Sequence, residues 1–260
     1  MTLPAASRAG SDKLRTAVPR VVAAVEKVLA DEDVTYGELF AALLFLNEVG
    51  ASGEMVLLSD VLGLSTNVEK RESAGRPGTP SNVEGPFWRP GAPRHNTPAD
   101  LVSRDEPGER LTISGQVTDV ATGQPLPGAE VDVWQTDAAG HYDQEDPALP
   151  EWHMRAVVVA DDQGRYALRV VKPQAYQVPT SGPVGRLLKA IGQHPWRPAH
   201  THLRVAASGH AILTTMAYYA GDTWLNDDTI DSVKPELVLD PVKAGDAEWY
   251  VTFDIGLRSA

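Results

Sequence analysis

The spacing of apolar residues changes period once along this chain, and that change limits the architectures open to it. From Asp12 to about Leu64 apolar residues recur at helical spacing: Leu14, Val18, Val21, Val22, Val25, Val28 and Leu29 in a first segment. "VTYGELFAALLFLNEVG" follows, with Thr35 and Glu38 at the spacing of a capping box and Gly50 where a helix would stop. A third helix is expected in "SGEMVLLSDVLGL", capped by Ser52. Residues 71–110, rich in Pro, Gly and charge, read as a long connection. From Leu111 the period shortens to two. "LTISGQVTD", "AEVDVWQTD", "RAVVVADDQGRYALRVV", "HTHLRVAA" and "AILTTMAYYA" are strand patterns separated by turn signals such as "TGQPLPG" and "DDQG". Short strands at this spacing form a sandwich or a barrel. The expected organisation is mixed and mainly β: a helical region over 1–70, a connection over 71–110 and a β domain over 111–260.

Composition then removes whole classes of function. The 260 residues include no cysteine, so disulfides, thiolate metal sites and cysteine catalysis are excluded. The net charge of −12 argues against nucleic acid or an anionic membrane surface as partner. The opening "MTLPAASRAGSDKLR" has no leader-like apolar stretch, and the longest apolar run, "AALLFL", is too short to span a bilayer. The expectation is a soluble cytoplasmic protein without membrane insertion.

His200 and His202, in "HPWRPAHTHLRV", lie two apart in a strand pattern and therefore on one face. Either the two imidazoles converge on a metal ion, or one is a hydrogen-bonded core residue and the other ends the strand. Without cysteine, further ligands must be His, Tyr, Asp or Glu. Tyr166, Tyr218 and Tyr250 fall inside strand patterns and read as packing residues. Tyr142 and Tyr176 fall instead in loop-like stretches after strands, "AAGHYDQED" and "KPQAYQVPTSGP", where no periodicity accounts for them. Phenolate is a hard anionic donor suited to Fe(III), whereas zinc is more often held by three histidines or by His₂Glu. A cupin would need a glutamate soon after the H-x-H pair, and "LRVAAS" has none.

The run "GQHPWRPAHTHLRV…LTTMAYYAGDTWLNDD…VKPELVLDP", with "GAEVDVWQTDAAGHYD", "PEWHMR", "AYQVPTSGPVG", "LLSDVLGLS" and "VEGPFWRPGAP", resembles the intradiol ring-cleavage dioxygenases, above all the catechol and chlorocatechol 1,2-dioxygenases. The resemblance implies an antiparallel β-sandwich catalytic domain behind an N-terminal helical region. It also implies a non-haem Fe(III) held by Tyr142, Tyr176, His200 and His202, which with O₂ would open a catechol or chloro- or alkyl-substituted catechol to a cis,cis-muconate. By the same resemblance Arg197 steadies negative charge on the substrate, and Tyr176 leaves the metal on substrate binding and takes up a substrate proton. Leu57, Asp60, Val61, Gly85, Pro86 and Trp88 match positions that line the substrate cavity. The N-terminal helices would pair two subunits, with a lipid between them.

Two departures stand out. Met216 replaces a usual glutamine, exchanging a donor beside the ring for apolar bulk and a weak acceptor. His153 stands where asparagine is common. The sibling activity, hydroxyquinol 1,2-dioxygenase giving maleylacetate, differs only in pocket residues. A non-catalytic sandwich with a vestigial metal site is the reading from a different class, and Met216 is its one support.

Overall fold

The computed structural model describes residues 8–102, 105–245 and 248–260. Two compact units meet in sequence at Ala51/Ser52. The first contains α1 (Arg8–Asp31) and α2 (Tyr36–Ala51). The capping box forms as expected: the Thr35 amide donates to Glu38 Oε2 at 2.8 Å, and the Glu38 amide to Thr35 Oγ1 at 3.3 Å. Gly50 does not stop α2, which runs one residue further. The apolar residues that predicted α1, Leu14, Val18, Val21, Val22, Val25 and Val28, are exposed.

The second unit opens with α3 (Met55–Val61) and α4 (Leu64–Ser73). The expected third helix is therefore two, and Glu54 rather than Ser52 is its N-cap residue. The break falls at Gly63, whose φ of 70° is left-handed and favours glycine. The Glu54 side chain serves a different helix, α5 (Pro183–Ala190), by accepting the Val184 amide at 2.9 Å. One orphan donor of a helix start is thereby satisfied from a distant element.

Fourteen strands are formed among the described residues. In chain order they are β1 (Arg94–Asn96), β2 (Ala99–Asp100), β3 (Arg110–Asp119), β4 (Glu130–Gln135), β5 (Arg155–Val159), β6 (Arg165–Val171) and β7 (Tyr176–Gln177). After α5 come β8 (Trp196–Arg197), β9 (His200–Ala206), β10 (Leu213–Tyr219), β11 (Val238–Leu239), β12 (Val242–Lys243), β13 (Glu248–Thr252) and β14 (Ile255–Leu257). One sheet has the order β1-β5-β4-β9-β10-β11 and the other β12-β13-β3-β6-β2, with β14 also pairing β3. The central pairings β5-β4, β4-β9, β9-β10 and β3-β6 are antiparallel, while β1, β2, β11, β13 and β14 join in parallel. Residues 71–110 thus supply a short strand to each sheet rather than a structureless connection. β13 and β14 succeed each other along the same strand, β3, with a break beside Gly115. A Cβ there would run into the Phe253 carbonyl, so the close approach requires glycine.

Alternation sets the core. Leu111, Ile113 and Val117 on β3, Val131 and Val133 on β4, Leu168 and Val170 on β6, and Leu203 and Val205 on β9 are all fully buried. His200 and His202 have the opposite parity to Leu203 and Val205 and so point to the other face of the sheet.

Candidate metal centre and active site

β9 lies between β4 and β10, and its register builds the site row by row. His202 is opposite both Trp134 and Met216, and His200 is opposite Tyr218. The Trp134 indole stacks on the His202 ring at 4.7 Å and 9°. Both histidines are 2% exposed, although they face away from the sandwich core, because other segments cover that face. Their Nε2 atoms are 3.1 Å apart. Two nitrogens each about 2.1 Å from one ion, at right angles, would be separated by nearly that distance. His200 Nδ1 donates to the Pro198 carbonyl at 2.7 Å, a bond that fixes the tautomer and leaves Nε2 its lone pair. Burial, reinforced by Arg197, depresses His200 to about 3, and burial with His200 and Arg197 lowers His202 well below the usual value. Both rings are neutral donors near neutral pH.

Tyr142 follows β4 in a turn, as expected. Tyr176 does not sit in a loop: it is the first residue of β7, directly paired with Arg197 on β8. The two tyrosine rings meet edge to face at 5.6 Å, and the Tyr176 ring lies 5.5 Å from that of His200. Phe87 stacks on Tyr142 at 4.4 Å and 24°. The Tyr142 hydroxyl is wholly buried with no hydrogen-bond partner, a costly arrangement unless a cation completes it. Burial raises both phenols above their ordinary value, Tyr142 further still through its neighbour Tyr176, while Arg197 partly offsets the rise at Tyr176. A bound multivalent cation is what would convert such groups to phenolates. Among the described residues no cluster of three His, Asp or Glu offers an alternative cation site. The donor set present, two neutral imidazoles and two phenols, fits Fe(III) in its chemistry, and the two imidazole nitrogens fit it in spacing.

Arg197 is buried beside these donors, its Nη1 3.2 Å from His200 Nε2. Met216 is buried in the same row, and its sulfur accepts from the Tyr218 hydroxyl at 3.0 Å and lies 3.8 Å from Arg197 Nη2. Asp60, on α3 with the equally buried Leu57 and Val61, is 3% exposed. Burial raises its carboxyl; Ser65 and Arg197 offset this in part. Gly85 approaches the His202 ring so closely that a Cβ would lie 3.5 Å from Cε1, and its φ is 72°. Trp88 packs with Phe87 against Trp134, Tyr142 and Tyr176, and its indole N–H donates to Asp132 Oδ2 at 2.9 Å. Pro86 is exposed beside them. His153, at 3.3 Å from Glu106, belongs to a separate buried pair.

Several residues at the site had no signal in the sequence. Tyr218, expected only to pack, directs its hydroxyl to Ser232 at 2.8 Å and Met216 at 3.0 Å. Arg155 reaches beneath Tyr142, 5.7 Å from its ring, bonded to Asp143, Gln144 and the Phe87 carbonyl. Asp228 pairs with Arg197. Side chains such as these interrupt no period, and within the runs that carry them nothing in residue type marks them out.

Residues 11–79 match the family described as "Catechol dioxygenase N terminus", and residues 83–259 the one described as "Dioxygenase". The chain is 41% identical over 210 residues to the 6-chlorohydroxyquinol 1,2-dioxygenase of Cupriavidus pinatubonensis, covering 79% of this chain and 74% of that protein. It is 34% identical over 248 residues to the catechol 1,2-dioxygenase of Acinetobacter baylyi, covering 92% and 79% respectively. The crystal structure of 3-chlorocatechol 1,2-dioxygenase from Rhodococcus opacus 1CP superposes with a TM-score of 0.90 at 35% identity, over 96% of this chain and all of that one. With both family models, the relatives and the sandwich in agreement, this chain is a catechol 1,2-dioxygenase-type enzyme and belongs to the intradiol ring-cleavage dioxygenase family.

Proposed function

We propose that this enzyme holds a non-haem Fe(III) through Tyr142, Tyr176, His200 and His202, and cleaves catechol or a chloro- or alkyl-substituted catechol with O₂ to a cis,cis-muconate. The observation that supports this most is the pair of buried Nε2 atoms 3.1 Å apart beside a buried phenol with no partner. When bound, the ferric ion would supply a Lewis acid for the catecholate oxygens and a route for spin and charge between ring and oxygen. The protein's part is positioning and electrostatics. The Arg197 guanidinium favours the doubly deprotonated substrate and negative charge developing on the ring. Tyr176, cross-strand partner of Arg197, would take up a substrate proton at its phenolate oxygen. Leu57, Asp60, Val61, Gly85, Pro86 and Trp88 would line the ring's cavity, and Met216 would face the ring with apolar bulk.

One observation favours the sibling activity, hydroxyquinol cleavage to maleylacetate. The buried Asp60 carboxyl, raised by burial, could hydrogen-bond a third ring hydroxyl. The exposed apolar residues of α1, together with Phe40, Leu43, Leu44 and Leu46 of α2, support a homodimer paired through these helices with a lipid between them. No single helix among the described residues is long and apolar enough to cross a membrane; a cytoplasmic site of action is part of the proposal.

The test is a visible spectrum of iron-loaded protein before and after anaerobic catechol. A broad tyrosinate-to-iron band that shifts on adding catechol is expected, followed by ring opening when O₂ is admitted. Comparing kcat/KM for catechol, chlorocatechol and hydroxyquinol then ranks the substrates. A protein that stays colourless after iron loading would overturn the ligand set.

A further inference from the structure

Among the buried charged groups that the proposed chemistry does not use, Asp228 is the one paired with Arg197. Its side chain is 2% exposed and its counter-ion is Arg197. The contact is two-pronged: Arg197 Nε donates to Oδ1 at 3.1 Å and Nη2 to Oδ2 at 3.4 Å. The carboxylate is itself fixed by the turn it begins. Oδ2 accepts the Ser232 hydroxyl at 2.8 Å and the Ser232 amide at 3.1 Å, and Oδ1 accepts the Ile230 amide at 3.4 Å. Ser232 Oγ also accepts from Arg197 Nη2 at 2.8 Å, so one hydroxyl ties acid and base together. Tyr218 OH stands 3.4 Å from the same Nη2.

Nε and Nη2 are thus engaged by Asp228 and Ser232, and Nη2 also by Tyr218 and Met216, the cross-strand neighbours of His200 and His202. Nη1 is the arm that meets a histidine: its partner is His200 Nε2, at 3.2 Å. Once that nitrogen coordinates a metal, Nη1 loses this acceptor and has hydrogens to turn to the neighbouring Tyr176 or to an incoming oxygen. Ferric iron with two phenolates retains one positive charge, which repels a neighbouring guanidinium. An arginine left to itself would swing away, since its long side chain has many rotamers to occupy. Asp228 supplies the opposite charge, from behind.

We infer that Asp228, locked by Ser232, is a positioning residue that holds the Arg197 guanidinium against the metal centre with Nη1 directed at the incoming catecholate oxygen. The inference rests on the function proposed above. It concerns how the site is held rather than which ring it takes.

The experiment compares iron-loaded wild type, Asp228→Asn, Ser232→Ala and Arg197→Met, with each of the first two substitutions also made in the Arg197→Met background. Anaerobic catechol titration reads affinity from the catecholate-to-iron band, and iron content and the resting tyrosinate band report the integrity of the centre. With iron and resting band unchanged, Asp228→Asn should weaken catechol binding about tenfold or more and Ser232→Ala about threefold. In the Arg197→Met background both should change it by less than about twofold, because residues acting through one partner are not additive. Equal weakening in both backgrounds would overturn the inference, as would wild-type affinity in an intact Asp228→Asn centre. If Asp228→Asn does not fold, the Ser232→Ala pair decides by the same comparison. A wild-type protein with no tyrosinate band, or none that responds to catechol, would instead overturn the proposed function and this inference with it.

Discussion

Two buried arginine–aspartate pairs flank the same two histidines, and they are used differently. Beneath Tyr142, Arg155 gives Nε to Asp143, Nη1 to the Phe87 carbonyl at 2.7 Å and Nη2 to Gln144 at 3.0 Å. Asp143 also accepts from Arg89 at 2.6 Å and from the Trp152 amide at 3.0 Å. Each arm of that guanidinium ends on a protein group, so the pair acts as scaffold for the loop that bears Tyr142. Beside Tyr176, Arg197 has the same chemistry and comparable burial, with side chains of the pair 4% and 2% exposed against 2% and 1% for Arg155 and Asp143. Its Nη1, however, points at the donor atom of a candidate ligand. Residue type and burial alone do not separate a structural arginine from one that meets substrate. The destination of its last N–H does.

Breaking the two pairs in parallel should give the largest effects. Arg197→Ala leaves the buried Asp228 carboxylate without its counter-ion and should cost about 3–5 kcal/mol of stability, measured by denaturant unfolding, whereas Arg155→Ala should cost less because Asp143 keeps Arg89. Neutralising a whole pair should recover most of that loss on either side. Arg155→Gln with Asp143→Asn should then also recover ring cleavage, whereas Arg197→Gln with Asp228→Asn should remain about a hundredfold down in kcat, the scale of a lost oxyanion partner. Equal recovery of turnover on both sides would dissolve the distinction between the pairs.

A smaller effect sharpens the Arg197 side. Met216 contributes only its sulfur to this network, and a glutamine oxygen could accept from Tyr218 in its place while the amide presents a donor to the ring. Met216→Gln should therefore leave the tyrosinate band and stability near wild type. It should shift the kcat/KM preference about tenfold from substituted catechols toward catechol itself. An unchanged preference would place Met216 outside the substrate pocket.

The smallest effect comes from a partly buried pair far from the site. His210 Nε2 lies 2.8 Å from Asp119 Oδ2. The Thr122 hydroxyl and His210 hold Asp119 down to about 2, and the Ser208 carbonyl and Asp119 raise His210. The Asp119 contribution is present above the unfolded carboxylate value, about 3.9, and is lost as pH falls toward 2. That of His210 is fully present below about 6.5 and is lost as pH rises through its raised folded value. His210→Gln should accordingly lower Tm by only about 1–2 °C, with the difference greatest between about pH 4 and 6.5. A deficit that grew above pH 8 would contradict this assignment.

Legibility in the sequence followed distance along the chain. Thr35 and Glu38 close a capping box because their three-residue spacing alone brings them together. The β patterns from Leu111 onward appear as strands for an equally local reason, since alternation records which face is buried. The same rule placed His200 and His202 on one face, and their neighbourhood was chemically recognisable. Elements whose cause lies elsewhere were not readable. α5 begins where Glu54 reaches it, and Tyr176 is held by a two-residue strand that exists because β8 pairs with it.

What the sequence determined by itself is therefore the period of each element, the shared face of the two histidines and the supply of hard donors in a chain without cysteine. Only the tertiary structure decided that this face lies under cover and not in solvent, and that Tyr218, Arg155 and Asp228 brace it. Asp228 shows the reason most plainly. It meets Arg197 across 31 residues, through a turn and a sheet edge, and nothing periodic or local connects them. A buried ion pair is specified by where two elements pack, because low dielectric and the exclusion of water arise only once the chain has folded.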